Sequence, residues 1–177
     1  MITTKKNTTA RLGLLLAAAA VALTGCAAPA APAADEAVAA DAVTIGDAWV
    51  KSADEGMSAA FGELSNDGED DVTVVSATTD AAGMVELHET VENESGEMVM
   101  REIDGGFVIP AGGALHLQPG GNHIMLMDLT GALRAGDEVT VTLTFSDDST
   151  FAFTAPVKDY SGANENYQGS DDGEMDH

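Results

Sequence analysis

From Val43 onward the chain alternates apolar and polar residues with a period of two, in short runs broken by turn residues. Val139-Thr140-Val141-Thr142-Leu143-Thr144-Phe145 is the clearest run. Successive side chains of a strand point to opposite faces, so Val139, Val141, Leu143 and Phe145 face a core and the threonines do not. Fully burying each such apolar side chain is worth about 1.5–3 kcal/mol. The pattern predicts strands at about 43–50, 59–64, 72–78, 84–88, 98–102, 107–109, 114–117, 123–129, 138–145 and 150–154. Asn66-Asp67-Gly68, Glu94-Ser95-Gly96, Asp104-Gly105-Gly106, Pro119-Gly120-Gly121, Gly136-Asp137 and Asp147-Asp148 supply the turns. With no sustained period of 3.6 and no internal repeat, the chain reads as an all-β, antiparallel sandwich or barrel of one domain. Phe151 and Phe153 join its core, and Trp49 and Phe61 are assigned there too, the alternative being aromatics beside a metal site.

The pattern fails at both ends. Residues 1–26 hold a basic start (Lys5, Lys6, Arg11) and an apolar stretch to Leu23, too short for a comfortable membrane span. They end in Leu23-Thr24-Gly25-Cys26, which resembles a bacterial lipobox and makes Cys26 the expected lipidated residue of an exported protein; the alternative is a plain secretory signal cut near Ala27 or Ala28. Residues 27–42 are rich in Ala and Pro and read as a tether, leaving 43–158 as the folded domain. Residues 159–177 are acidic and without apolar periodicity, and read as a disordered tail. Its last four residues, Glu174-Met175-Asp176-His177, read as solvated, with at most a loose hold on a metal.

Charge and cysteine count then exclude several functions. All 30 acidic residues follow Cys26, but only four of the seven basic ones do (Lys51, Arg101, Arg134, Lys158). That field repels nucleic acid, which is excluded as a partner. Cys26 is the one cysteine, so the domain has no disulfide, thiolate nucleophile or cysteine-based zinc site. A blue-copper electron-transfer site needs a Cys thiolate and is excluded on the same ground. Nothing resembles a Ser-His-Asp set, a phosphate loop or an open zinc site with a general base, so an enzyme is not expected.

The chemistry that remains lies on three runs. On 123–129 the residues His123, Met125 and Met127 share one face, and Ile124 and Leu126 the other. Taken alone, this run also reads as a core strand with Met filling gaps. His88 closes the run 84–88, and Met98 and Met100 share a face of 98–102. Imidazole with thioether is a ligand set for soft copper, above all Cu(I), and discriminates against zinc and magnesium. Two imidazoles and two thioethers complete a four-coordinate site if three neighbouring strands converge. His116 lies between the inward Leu115 and Leu117 and is expected to face solvent; Met57 and Met84 are expected to fill gaps in the core or at its rim.

Taken in order, these residues resemble the extracytoplasmic copper chaperones called PCu(A)C. The resemblance covers about residues 43–156. It is carried by Ala48-Trp49, Ala59-Ala60-Phe61, Leu64, Asn66, Glu86-Leu87-His88, Met98-Val99-Met100-Arg101, Ile109-Pro110-Ala111-Gly112-Gly113, Pro119-Gly120-Gly121-Asn122-His123-Ile124-Met125-Leu126-Met127 and Leu143-Thr144-Phe145. The family motif is His, ten residues, Met, twenty-one residues, His-x-Met. Here the two gaps are eleven and twenty-two residues, and the extra ones fall in the turns around 91–97 and 104–106. The resemblance implies a cupredoxin-like Greek-key β-sandwich and Cu(I) ligation by His88, Met100, His123 and Met125. Met100 is preferred to Met98 because it directly precedes Arg101; Met127 continues the face of Met125. The resemblance also implies a metallochaperone that delivers copper to an acceptor, such as the dinuclear copper subunit of cytochrome oxidase. Its lipid anchor would hold it on the outer face of the bacterial cytoplasmic membrane. The alternative is an adhesion or scaffold lipoprotein that binds no metal on the same sandwich.

Overall fold

The computed structural model describes residues 38–161 and the backbone of Asn166–Tyr167. A single helical turn, α1 (Ala39–Ala42), precedes β1 (Val43–Lys51), β2 (Ser58–Asn66), β3 (Val72–Thr78), β4 (Ala82–Glu92), β5 (Met98–Glu102) and β6 (Phe107–Ile109). Then follow β7 (Ala114–Leu117), β8 (His123–Leu129), β9 (Glu138–Phe145), β10 (Thr150–Lys158) and β11 (Asn166–Tyr167). One layer runs β11-β5-β4-β8-β2-β1, with β7 also paired to β2; the other runs β10-β9-β3-β6. They join at one edge, where β1 pairs with β10 through Val50–Val157 and Lys51–Lys158. The fold is an all-β sandwich, as the alternation predicts.

The core lies between the layers. Val50, Ala60, Leu64, Leu87, Ile124 and Leu126 come from one layer; Val74, Phe107, Ile109, Val141, Leu143 and Phe145 come from the other. In β9 the four predicted residues are all buried while the intervening threonines are half-buried or exposed. Phe153 joins this core and Phe151 is half-buried against it.

The differences from the sequence reading have local causes. The sheet is not purely antiparallel: β1–β10 and β11–β5 are parallel pairs, both made by edges that meet strands distant in sequence. The run ending at His88 continues to Glu92, because β-branched Thr90 and Val91 carry the ladder into a hairpin with β5. Its turn is tighter than 91–97. The Asn93 side-chain oxygen accepts from the amides of Ser95 (2.9 Å) and Glu97 (3.0 Å), and Gly96 takes φ 83°. The end of the stretch read as a tether forms α1, whose Ala39 and Ala40 amides donate to Asp147 and Ser149. Within the stretch read as a disordered tail, Asn166–Tyr167 pairs with the edge of β5, where backbone groups would otherwise stay open. The lipobox, Cys26 and the last four residues lie outside the described residues.

Trp49 and Phe61 are not in the main core. Phe61 alternates with the core residue Ala60 and so lies on the outer face of its layer, where Trp49 stacks on it at a ring separation of 4.5 Å. Periodicity groups residues by face without saying which face meets the other sheet, and these two were assigned to the wrong one.

Candidate metal centre

Strands β5, β4, β8 and β2 are consecutive neighbours, and their register aligns the candidate residues in rows. His88 of β4 is directly opposite His123 of β8, and Glu86 is opposite Met125. On the far side of β4, Thr90 is opposite Met100 and Glu92 opposite Met98; on the far side of β8, Ala59 is opposite Met125. Directly opposed residues share a face. Leu87, Ile124 and Leu126 alternate with this set and enter the core. The histidines and methionines therefore occupy the outer face of the layer. The two histidines are nevertheless enclosed, His88 being 0% and His123 2% exposed.

Each imidazole is held by one nitrogen. His123 Nδ1–H donates to the carbonyl of Gly121 at 2.9 Å, a contact made by the turn that starts β8. That bond leaves the lone pair on Nε2, which is buried and has no hydrogen-bond partner among the described residues. His88 Nε2–H donates to the Glu86 carboxylate at 2.7 Å, which leaves Nδ1 as the nitrogen that could ligate. Glu86 and His88 are two apart on one strand, so the carboxylate and the ring share a face. The two rings stand edge to face with centroids 5.5 Å apart. Burial pushes the His123 pKa below its ordinary value of 6.5; the Gly121 bond opposes this and the neighbouring His88 adds to it. His123 is therefore neutral at pH 7 and able to act as a ligand.

A cleft of about 200 Å³ opens beside His123. Met100, Met125, Phe61, Tyr160 and Met57 are among its walls. Phe61 stands 6.2 Å from the His123 ring, and Tyr160 covers Trp49 at 5.4 Å. The structure thus gathers His88, His123, Met125 and Met100 at one place. Met98 is two residues farther along β5, 45% exposed, and does not line the cleft. The β4–β5 register runs unbroken from His88–Glu102 to Glu92–Met98, so the extra residue sits in the turn and not in a bulge. Met127 is buried opposite Met84, one row from Met125. His116 points outward to Glu63, its Nδ1 2.9 Å from the carboxylate. Met57 and Met84 are exposed at the rim and fill no gap in the core.

The sequence reading missed Glu86, Gly121 and Tyr160 as parts of the centre. The signal for Glu86 was the two-residue spacing to His88, and for Gly121 the turn leading into His123. Tyr160 carried none, lying past the last periodic residue. The donor set suits a soft ion: two imidazoles and polarisable thioethers beside an aromatic wall. Among the described residues no three His, Cys, Asp or Glu side chains gather to hold a metal. A hard cation, or zinc bound by nitrogen and oxygen alone, finds no complete set there.

The family model "Putative lipoprotein LpqE-like" matches residues 43–157. The protein named "Putative lipoprotein Lxx21020", from Leifsonia xyli subsp. xyli (strain CTCB07), is 55% identical over 130 residues, which are 73% of this chain and 78% of that protein. The solution structure of CuI-DR1885 from Deinococcus radiodurans is 30% identical, with a TM-score of 0.52 over 67% of this chain and 81% of that one. The apo PCuAC domain from PmoF1 shares the fold with a TM-score of 0.57 at 18% identity, over 67% of this chain and 95% of that one. The chain belongs to the LpqE-like lipoprotein family, and its folded unit shares the fold of PCuAC domains.

Proposed function

We propose that this protein is an extracytoplasmic copper carrier that holds one Cu(I) between His88, His123, Met100 and Met125. The observation that carries the reading is the buried Nε2 of His123, which has no hydrogen-bond partner among the described residues. An imidazole nitrogen is costly to bury unsatisfied. Here it lies beside a cleft walled by two thioethers, and a soft ion would satisfy it. A relative 30% identical to this chain has been solved in a Cu(I) form, which supports the same reading.

His88 and His123 would supply nitrogen, Met100 and Met125 sulfur. Both imidazoles are positioned by a second hydrogen bond, as metal-bound histidines generally are. Delivery is ligand exchange: an acceptor's thiolate or imidazole displaces a thioether and the copper stays Cu(I). The acceptor we infer is the dinuclear copper site of a respiratory oxidase, reached from the outer face of the cytoplasmic membrane by a carrier anchored through Cys26. Competition with a Cu(I) chelator tests the site. His123→Ala, Met125→Leu and Met100→Leu should each weaken binding about tenfold or more, that is by at least ~1.4 kcal/mol. Met98→Leu should leave it nearly unchanged. Loss of affinity in Met98→Leu with retention in Met100→Leu would move the ligand to Met98.

A further inference from the structure

Every methionine among the described residues lies on or beside the outer face that carries the histidines. Met98 and Met100 share that face of β5, Met125 and Met127 that of β8, Met84 that of β4, and Met57 walls the cleft. The proposed copper site uses two of them. Met57 and Met84 are 47% and 45% exposed, so filling a core does not explain them.

Three of the remaining methionines form a row. Met84 is directly opposite Met127 across the β4–β8 pair. On the other side of β8, β2 begins with Ser58 opposite Leu126, and Leu129 N donates to the Gly56 carbonyl at 3.1 Å. These two contacts bracket Met57 and hold its backbone alongside Met127. The result is a buried thioether flanked by two exposed ones, on three adjacent lengths of chain. Directly opposed side chains have Cβ atoms about 4.5–5.5 Å apart, within reach of the three-bond Met side chain.

We propose that Met57, Met84 and Met127 form a second Cu(I) site, made of thioethers alone, at the rim of the first. It rests on the same reading of the protein as a Cu(I) carrier. Thioethers select Cu(I) over hard cations and need no deprotonation. The second site binds more weakly than the first, because it has no imidazole and must order two exposed side chains. Met127 follows Met125 by one alternation of β8, about 6.8 Å, so the two positions adjoin along the sheet. An ion on the rim row is open to an incoming protein in a way that one held by buried His88 and His123 is not.

The test is methyl NMR of the full chain in detergent, labelled at the methionine methyls and carrying Cys26→Ser to remove the one thiol. Cu(I) is added in two equivalents. The first should shift Met100 and Met125. The second should shift Met57, Met84 and Met127 together, and Met84→Leu should abolish that second shift while leaving the first. In His123→Ala the rim row should still respond. A second equivalent that moves only Met175, or none of the three, overturns the proposal. If Met100 and Met125 respond and the rim row does not, the proposal alone falls. If no methyl responds to either equivalent, the Cu(I) carrier reading falls with it.

Discussion

His123 is defined by what each of its nitrogens touches. Nδ1 is committed to Gly121, and burial keeps the ring neutral by lowering its pKa from 6.5. The sign of the pH dependence follows. Between the lowered folded value and 6.5 the unfolded chain binds more protons, so stability rises with pH through that window. It should be lost as the pH falls from 6.5 towards the folded value. Urea unfolding of the metal-free protein at pH 7.5 and 5.5 should show this loss, and His123→Gln should reduce it. A loss of equal size in His123→Gln would place the titrating group elsewhere. Glu86 acts on the other ring through its 2.7 Å bond to His88 Nε2. Removing such a partner typically costs about 10–100-fold in metal affinity. Glu86→Gln should fall in that range by Cu(I) competition, and an unchanged affinity would show that the bond does not position the ring. His88, Met100, His123 and Met125 were legible in the sequence because their side-chain chemistry is unusual. Glu86 was not, because in so acidic a chain its two-residue spacing to His88 does not set it apart from the other carboxylates.

Register is what the elements contribute. The β4–β5 hairpin sets Thr90 opposite Met100, and with it the placement of Met100 rather than Met98 at the cleft wall. The positions of ten of the eleven strands were legible from the period of two and the turn residues, and β3, β5 to β9 have the expected bounds. The end of β4 was not, since Glu89 and Glu92, which strands disfavour, flank Thr90 and Val91 and join the ladder once β5 pairs with them. The opposite end of the sandwich depends on Asn66, which is buried after the last apolar residue of β2. Its Nδ2 donates to the carbonyl of Asp70 at 2.9 Å and to those of Ile109 and Pro110 at 3.2 Å, while its Oδ1 accepts from Gly68 N. It ties the 66–71 loop to the segment after β6. Asn66→Ala strands several of these groups and should cost about 2 kcal/mol or more in urea unfolding. The Cu(I) affinity of the folded protein should be unaffected, because the site draws on β4, β5 and β8.

At the scale of the whole molecule, the two faces of one layer carry different chemistry. The inner face meets the second sheet and makes the core; the outer face carries the histidines, the methionines and the Trp49–Phe61–Tyr160 stack. That division explains why alternation found the fold and misplaced Trp49 and Phe61. Both faces of this layer are buried near the site, so a buried aromatic does not declare its side. It also explains how the domain can carry so many thioethers: none of the described methionines belongs to the main core cluster. The central claim is that one Cu(I) is bound by nitrogen and sulfur together on that outer face. X-ray absorption of the protein loaded with one equivalent of Cu(I) tests it most directly. The account predicts a copper shell with both nitrogen and sulfur scatterers, the sulfur contribution falling in Met125→Leu. A shell of nitrogen and oxygen alone would contradict it.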